Sequence, residues 1–370
     1  MTAFMKRKDI PALTSLRFPA AFAIVLFHYL TLTTFPSWRF ENLSMGVSFF
    51  YILSGFILYY NYSDLENRGL FWIARVARIW PVHLVTCGLI LSILPFNYIL
   101  GHEHWPYTLS LNLLLLQAWV PLKGSVLSFN GVAWSLSVEA FFYFSFPWLL
   151  AMLKRFGIWA MFLGSFLLGL VAVSLAQLLL PHQPDFGSYF PVCRLFEFVL
   201  GMVTCSFWLE HSSPLPNYRL WSTHEIGSLA IAVLGALLVE PLVKHVLELS
   251  RIANWIMSLL PALCFSMVMW VFAHQAGVLS RLFASKVTVQ LGEVSFSLYM
   301  CHQIVLRFLT IRTGIANVQW EVLFTVYLVF SLSLAYLLFY WVETPARHWI
   351  VDAYRSHVAA KNSGKNLIKS

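Results

Sequence analysis

Charged side chains are scarce in this sequence: Asp, Glu, Lys and Arg make up 11% of its 370 residues. Soluble domains usually carry about 25%. With hydrophobic residues at 59%, the shortfall excludes an ordinary soluble domain and points to an integral membrane protein. Acidic groups are the scarcer sign, 16 against 24 Lys plus Arg, leaving a formal charge of +8. A nucleic-acid-binding protein gathers such an excess into one basic patch. Here the cations fall in short clusters between apolar runs, as membrane topology signals do, so no nucleic-acid partner is expected. Cysteine is sparse too. Cys87, Cys193, Cys205, Cys264 and Cys301 all lie in apolar runs without CxxC or Cys/His metal spacing, and they read as small membrane-core residues. No repeat of fixed period is visible, nor a matching pair of interrupted helices in the two halves, which weakens a secondary-transporter reading.

What is present is a series of apolar runs long enough to cross a bilayer, each about 20 residues. Ten spans are expected, near 12–34, 43–62, 79–100, 132–153, 156–180, 189–209, 225–240, 254–272, 289–309 and 321–341. A shorter run from Leu109 to Val120 cannot comfortably cross and is expected to be re-entrant or interfacial. With the N-terminus inside, the cytoplasmic segments hold sixteen Lys and Arg and the outer segments five. That asymmetry fits the positive-inside rule with both termini cytoplasmic. The fold class expected is therefore all-α integral membrane, one domain over residues 1–350, followed by a polar cytoplasmic tail over 351–370 that is disordered from Ala359. Lys6, Arg7 and Lys8 before the run Leu13–Leu30 resemble a signal-peptide start. That run is too long, contains Arg17 and His28, and lacks a small-x-small cleavage site, so it reads as a retained first span.

Ionisable groups inside spans are costly and usually face a bundle interior or a water-filled cavity. Arg17 and His28 stand eleven residues apart in the first span, which places them within about 20° on one helix face and about 16 Å apart along the axis. By depth, His28, Glu139 and His302, with the i, i+3 pair Arg194 and Glu197, are expected to converge on one polar cavity opening outward. The cytoplasmic side offers Arg17 and a second i, i+3 pair, Arg75 and Arg78. Blander readings stand beside these. Arg194 and Glu197 also read as a self-neutralising ion pair, Arg75 and Arg78 as topology determinants, and His28 and His302 as structural hydrogen-bonding groups. The cluster His102, Glu103 and His104 invites a metal reading, but adjacent residues in a loop read as solvated, and no metal is expected.

Taken in order, the motifs resemble the acyltransferase 3 family of bacterial integral-membrane acyltransferases. Arg17 and His28 match its Arg-x10-His pattern. Gly46–Phe56, which includes Ser54, looks like its second-span signature, and Arg75-Val-Ala-Arg78 with Pro81 matches its RxxR turn. Trp134-Ser135-Leu-Ser-Val-Glu139 with Tyr143 is similar to its WSLxxE segment. Arg194-Leu-Phe-Glu197, Ser295 to His302, and Glu343-Thr-Pro345 complete the set, so the resemblance runs from Arg17 to Pro345.

The resemblance implies ten spans, a cytoplasmic acyl-CoA donor as co-substrate with no bound cofactor, and acylation of a hydroxyl on a periplasm-facing polysaccharide or lipid-linked glycan. The expected location is the bacterial inner membrane, among its lipids and with possible polysaccharide-assembly partners. The C-terminal esterase-like domain of some members is not expected here. An imidazole suits deprotonation of a hydroxyl near neutral pH, so His28 is the expected general base, or else a transient acyl carrier. Glu139 would orient it or contact the acceptor. Arg17, Arg75 and Arg78 suit the phosphates of CoA. Ser54, Trp134, Ser135, Arg194, Glu197, His302 and Glu343 are further candidate site residues. The 16 Å gap between Arg17 and His28 is comparable to an extended pantetheine arm. Acetyl is the expected acyl group. Competing readings are acylation of a small lipid or secondary metabolite, a transporter with His28, Glu139 and His302 as a proton relay, and a catalytically inactive scaffold.

Overall fold

A computed structural model describes residues 8–33, 41–95, 104–122, 124–183, 185–211, 217–246, 251–313 and 319–367. It is all helix, with no strand among the described residues. Among the described residues nine helical stretches are long and apolar enough to cross a membrane, and one of these is double. Helix α6 (Trp134–Leu179) carries Gly157 at φ +81 and ψ 176, outside helical geometry. A straight 46-residue helix would extend about 69 Å. Instead Tyr189, ten residues past the end of α6, packs its ring 4.9 Å from that of Trp134 at the start. The chain therefore reverses at Gly157, where glycine alone tolerates the backbone at little cost, and the described residues make ten crossings, as the apolar runs indicate. The protein is an all-α, multi-pass membrane protein.

Helices α1 (Pro11–Ser15) and α2 (Arg17–Leu32) make the first crossing, α1 beginning on a proline at its first turn. A 3₁₀ turn leads into α3 (Gly46–Tyr62). Helix α4 (Arg68–Ile93) starts where the Asn67 side chain accepts the Leu70 N–H. It begins well before the span expected at 79–100, so the two arginines of the RxxR motif lie within the helix, and Pro81 is accommodated without ending it. Helix α5 (Trp105–Leu113) stops short, and Leu115 and Phe129 both take left-handed backbone conformations before α6 begins. Non-helical backbone at membrane depth survives only when buried polar groups satisfy it. They do: Ser137 Oγ donates to Leu115 O at 2.6 Å, Gln117 Nε2 to Ala133 O at 2.9 Å and Asn130 Nδ2 to Met300 O at 2.9 Å. The short run expected at Leu109–Val120 is thus half helix and half folded-back chain.

After α7 (Phe186–Tyr189), helix α8 (Leu195–His211) crosses α3 at the centre of the bundle. The crossing is close because it is made of glycines: a Cβ on Gly55 would sit 1.9 Å from Phe198 O, and one on Gly201 1.9 Å from Ile52 O. Helices α9 (Tyr218–Val246) and α10 (Arg251–Ala273) form a peripheral hairpin, α9 longer than the expected 225–240. Then come α11 (Val278–Phe283), α12 (Lys286–Thr313) and α13 (Trp320–Leu338). A π-helical turn, Phe339–Glu343, leads into α14 (Thr344–Leu367). The tail expected to be disordered from Ala359 continues this helix to Leu367. Its start is held because the Tyr354 hydroxyl packs against Gly69 at the head of α4. Among the described residues none of the five cysteines is in a disulfide; four are buried and Cys264 is half-buried.

Candidate active site

Two cavities that share part of their lining penetrate the bundle from the face that bears Lys8. The wide one, about 890 Å³, is lined from α1, α3, α4, α12 and α14, and the narrow one, about 80 Å³, continues inward from it. Arg17, Arg75 and Arg78 line both and so stand at the junction. From there the narrow cavity follows one face of α3, formed by Val47, Phe50, Tyr51, Ser54, Ile57 and Leu58 at i, i+3/i+4 spacing. That face is about 16 Å long.

The arginines are held by different partners. Arg75 donates to the Tyr62 hydroxyl at 3.1 Å, and its guanidinium lies 5.4 Å from the Tyr62 ring centre and 5.7 Å from that of Tyr143. Arg78 pairs at 3.7 Å with Glu343, a buried carboxylate that the π-helical turn directs inward and that also accepts from Ser297 Oγ at 2.8 Å. Glu139 accepts from the Tyr143 hydroxyl and, at 3.4 Å, from Ser54 Oγ. It lies in the arginine cavity.

A separate polar pair lies beyond the far end of the narrow cavity. His302 Nε2 is 3.0 Å from His28 Nδ1. His302 Nδ1 lies 3.1 Å from Leu298 O, and His28 Nδ1 lies 3.1 Å from Ile24 O. Carbonyl oxygens only accept, so the protons follow. His302 carries its proton on Nδ1, directed at Leu298 O. Its bare Nε2 then accepts the Nδ1–H of His28, which Ile24 O shares. That leaves His28 Nε2 as the nitrogen with a free lone pair. His302 is fully buried while His28 is half-buried. One turn before His302, Tyr299 lines the end of the narrow cavity, with its ring 5.9 Å from that of His302. The Tyr299 and Ser135 hydroxyls meet at 2.7 Å, and both reach Val132 O.

The expected outward convergence of His28, Glu139, His302, Arg194 and Glu197 is therefore not what forms. Instead two separate pairs form, His28 with His302 and Arg194 with Glu197. Glu139 is turned toward α3 and α4, where intramembrane cations can balance it, and not toward His28. Arg194 pairs with buried Glu197 at 3.0 Å and donates to Ser48 Oγ at 3.0 Å. The pair pins α8 to the head of α3 and is not among the residues lining either cavity. Trp134 packs edge-on against Tyr189 and Tyr51, while its neighbour Ser135 does line the narrow cavity. Residues that the sequence reading did not single out are Tyr62, Tyr299, Arg347 and Arg355. Tyr299 had a visible signal, one turn from His302. The arginines had one too: Arg347, Val351 and Arg355 recur at i, i+4, i+8 and all line the wide cavity. Among the described residues no group of three or more His, Cys, Asp or Glu is placed to hold a metal ion. His102 and Glu103 lie outside the described residues.

Comparison with known proteins bears on this geometry. Residues 10–340 match the acyltransferase 3 model, described as an acyltransferase domain. The chain is 27% identical over 323 residues to the acyltransferase MdmB of Streptomyces mycarofaciens, covering 81% of this chain and 79% of that one. It is 24% identical over 381 residues to a candidate O-acetyltransferase of Staphylococcus aureus (strain COL), covering 94% of this chain but 58% of that longer protein. A candidate acetyltransferase of Acidianus two-tailed virus is 25% identical over 308 residues, covering 81% and 84% respectively. No solved structure matches the chain.

Proposed function

The chain belongs to the acyltransferase 3 family of membrane acyltransferases, and from that premise we propose that it moves an acetyl group from cytoplasmic acetyl-CoA to a hydroxyl of a periplasm-facing polysaccharide or glycolipid. The observation that carries this reading is a cation-lined cavity that narrows along α3 and α12 and ends one helical turn short of a hydrogen-bonded histidine pair. Arginine forks suit the phosphates of CoA. The narrow cavity, about 16 Å along α3, suits the pantetheine arm, with the thioester toward Tyr299. The sixteen-to-five distribution of cations supports the wide mouth being cytoplasmic, in the inner membrane.

His28 Nε2 takes the proton of the acceptor hydroxyl as its oxygen attacks the thioester carbonyl. The tetrahedral intermediate collapses with cleavage of the C–S bond. The proton passes from the imidazolium to the departing CoA sulfur, leaving an ester and free CoA. His302 holds the His28 ring by its Nδ1–H and stabilises the imidazolium as it forms. Glu139, Ser54 and Tyr143 belong to the donor channel in this reading, where they orient Arg75 and the arm beneath the thioester.

The test is acetyl transfer by the purified protein, with radiolabelled acetyl-CoA and an unacetylated glycan. Label should move to the glycan with release of CoA, and His28→Ala should lower the rate by about 10²–10⁴-fold while leaving CoA binding intact. Undiminished transfer by His28→Ala would remove the proposed base. Label crossing a vesicle membrane without thioester cleavage would replace the enzyme with a transporter.

A further inference from the structure

The wide cavity holds more positive charge than the junction arginines supply. Six cationic residues line it, Lys8, Arg17, Arg75, Arg78, Arg347 and Arg355, against two acidic ones, Asp9 and Glu293. Three of the six also line the narrow channel. The other three line the wide cavity alone, and two of them are on α14. Arg347 is half-buried, and Arg355, two turns on and about 12 Å along the axis, is exposed with Asp352 3.5 Å away. That exposed pair is weak and leaves the guanidinium available. Topology signals require only that cations lie on the right side of the membrane; they do not require that Arg347, Val351 and Arg355 turn one helix stripe into the cavity that Arg75 and Arg78 enter. Aromatic side chains Tyr62, Phe71 and Phe339 complete the wall and suit a ring system beside the anions.

We propose that Arg347 and Arg355 of the terminal helix form the subsite for the 3′-phosphorylated adenosine end of the donor. This rests on the acyl-CoA reading and assigns its two phosphate groups separately. CoA carries a diphosphate next to the pantetheine arm and a 3′-phosphate on the ribose. With the arm in the narrow channel, the diphosphate falls to Arg17, Arg75 and Arg78 at the junction. The ribose phosphate then lies further out, in the wide cavity, where α14 supplies the cations. Helix α14 thereby becomes a wall of the donor site, clamped to α4 through the Tyr354–Gly69 contact.

Paired titrations of purified protein with CoA and with 3′-dephospho-CoA test the assignment. Wild type should prefer CoA by about ten- to a hundredfold, the scale of hydrogen bonds to a charged group. Arg347→Gln and Arg355→Gln should each erode that preference and leave 3′-dephospho-CoA affinity unchanged, which also shows that the variants are folded. Arg75→Gln should weaken both ligands alike. Equal wild-type affinity for the two, or equal weakening of both by the α14 variants, overturns the subsite while sparing the donor reading. Binding of neither ligand by wild type overturns both. Repeating the titration in phosphatidylcholine and in phosphatidylglycerol nanodiscs separates nucleotide from lipid: the preference should persist in each, and its loss in phosphatidylglycerol would assign the two arginines to lipid headgroups.

Discussion

For His28, what matters is which ring nitrogen carries the proton, and His302 Nε2 and Ile24 O together hold it on Nδ1. Because His302 presents a bare Nε2 only while its Nδ1–H is engaged by Leu298 O, the pair has one arrangement that satisfies both carbonyls. Replacing His302 by Phe should remove the acceptor that holds the ring from across the helix crossing, leaving only Ile24 O, and cost about 10–100-fold in kcat, as loss of a ring-orienting partner does elsewhere, with KM for the donor little changed. His302→Gln puts an amide oxygen within reach of the same N–H and should recover most of the rate. Steady-state kinetics of the two variants check this, and equal losses in both would show that His302 acts only as packing. The sequence made both histidines conspicuous as polar groups in apolar spans. It could not show that they touch, since that depends on the crossing of α2 and α12. Glu139 is the converse case. Its depth was legible, but the rotation of α6 that turns it to the arginines is set by tertiary packing, chiefly of Phe142 and Phe146 against Phe198 of α8. Arg194 and Glu197 resolve to the plainest option their spacing allowed.

Helices are where sequence and structure agree best, because a run of about 20 apolar residues in lipid has little alternative to a helix. The disagreements come where other forces decide. Helix α4 begins in polar sequence because an Asn67 cap and packing against α14 hold its first turns. The polar tail extends a helix where composition alone suggested coil. The close crossing of α3 and α8 is a further property that periodicity does not expose, yet the glycines mark it. Gly55→Ala would place a Cβ against the Phe198 carbonyl, where nothing flexible can yield, and overpacking of this kind costs about 1–3 kcal/mol. Gly164→Ala, on the lipid-facing side of α6 with open space around it, should instead stabilise by roughly 0.5–1 kcal/mol through helix propensity. Thermal unfolding in detergent should therefore move in opposite directions for the two. A neutral Gly55→Ala would mean that the crossing is looser than its glycines require.

For the molecule as a whole, the direction of the cavity fixes what each side of the membrane can supply. Lys8 and Arg355 line the same wide cavity, so the two ends of the described chain meet on one face, as an even number of crossings demands. If that face is cytoplasmic, soluble acyl-CoA enters at the arginines and the acceptor approaches the histidine pair from the other side. Thiol labelling decides it, using an impermeant maleimide and a background in which half-buried Cys264 is replaced by Ser. Asn61→Cys at the rim of the wide cavity and Lys361→Cys on α14 should react only after the membrane is opened. Tyr107→Cys on α5, exposed at the opposite face, should react in intact spheroplasts. Labelling of the Asn61 and Lys361 positions from different sides would require an odd number of crossings and dissolve the shared cavity. Labelling of all three with inverted sidedness would open the arginines to the periplasm, away from any pool of CoA, and the donor assignment would fall with the topology.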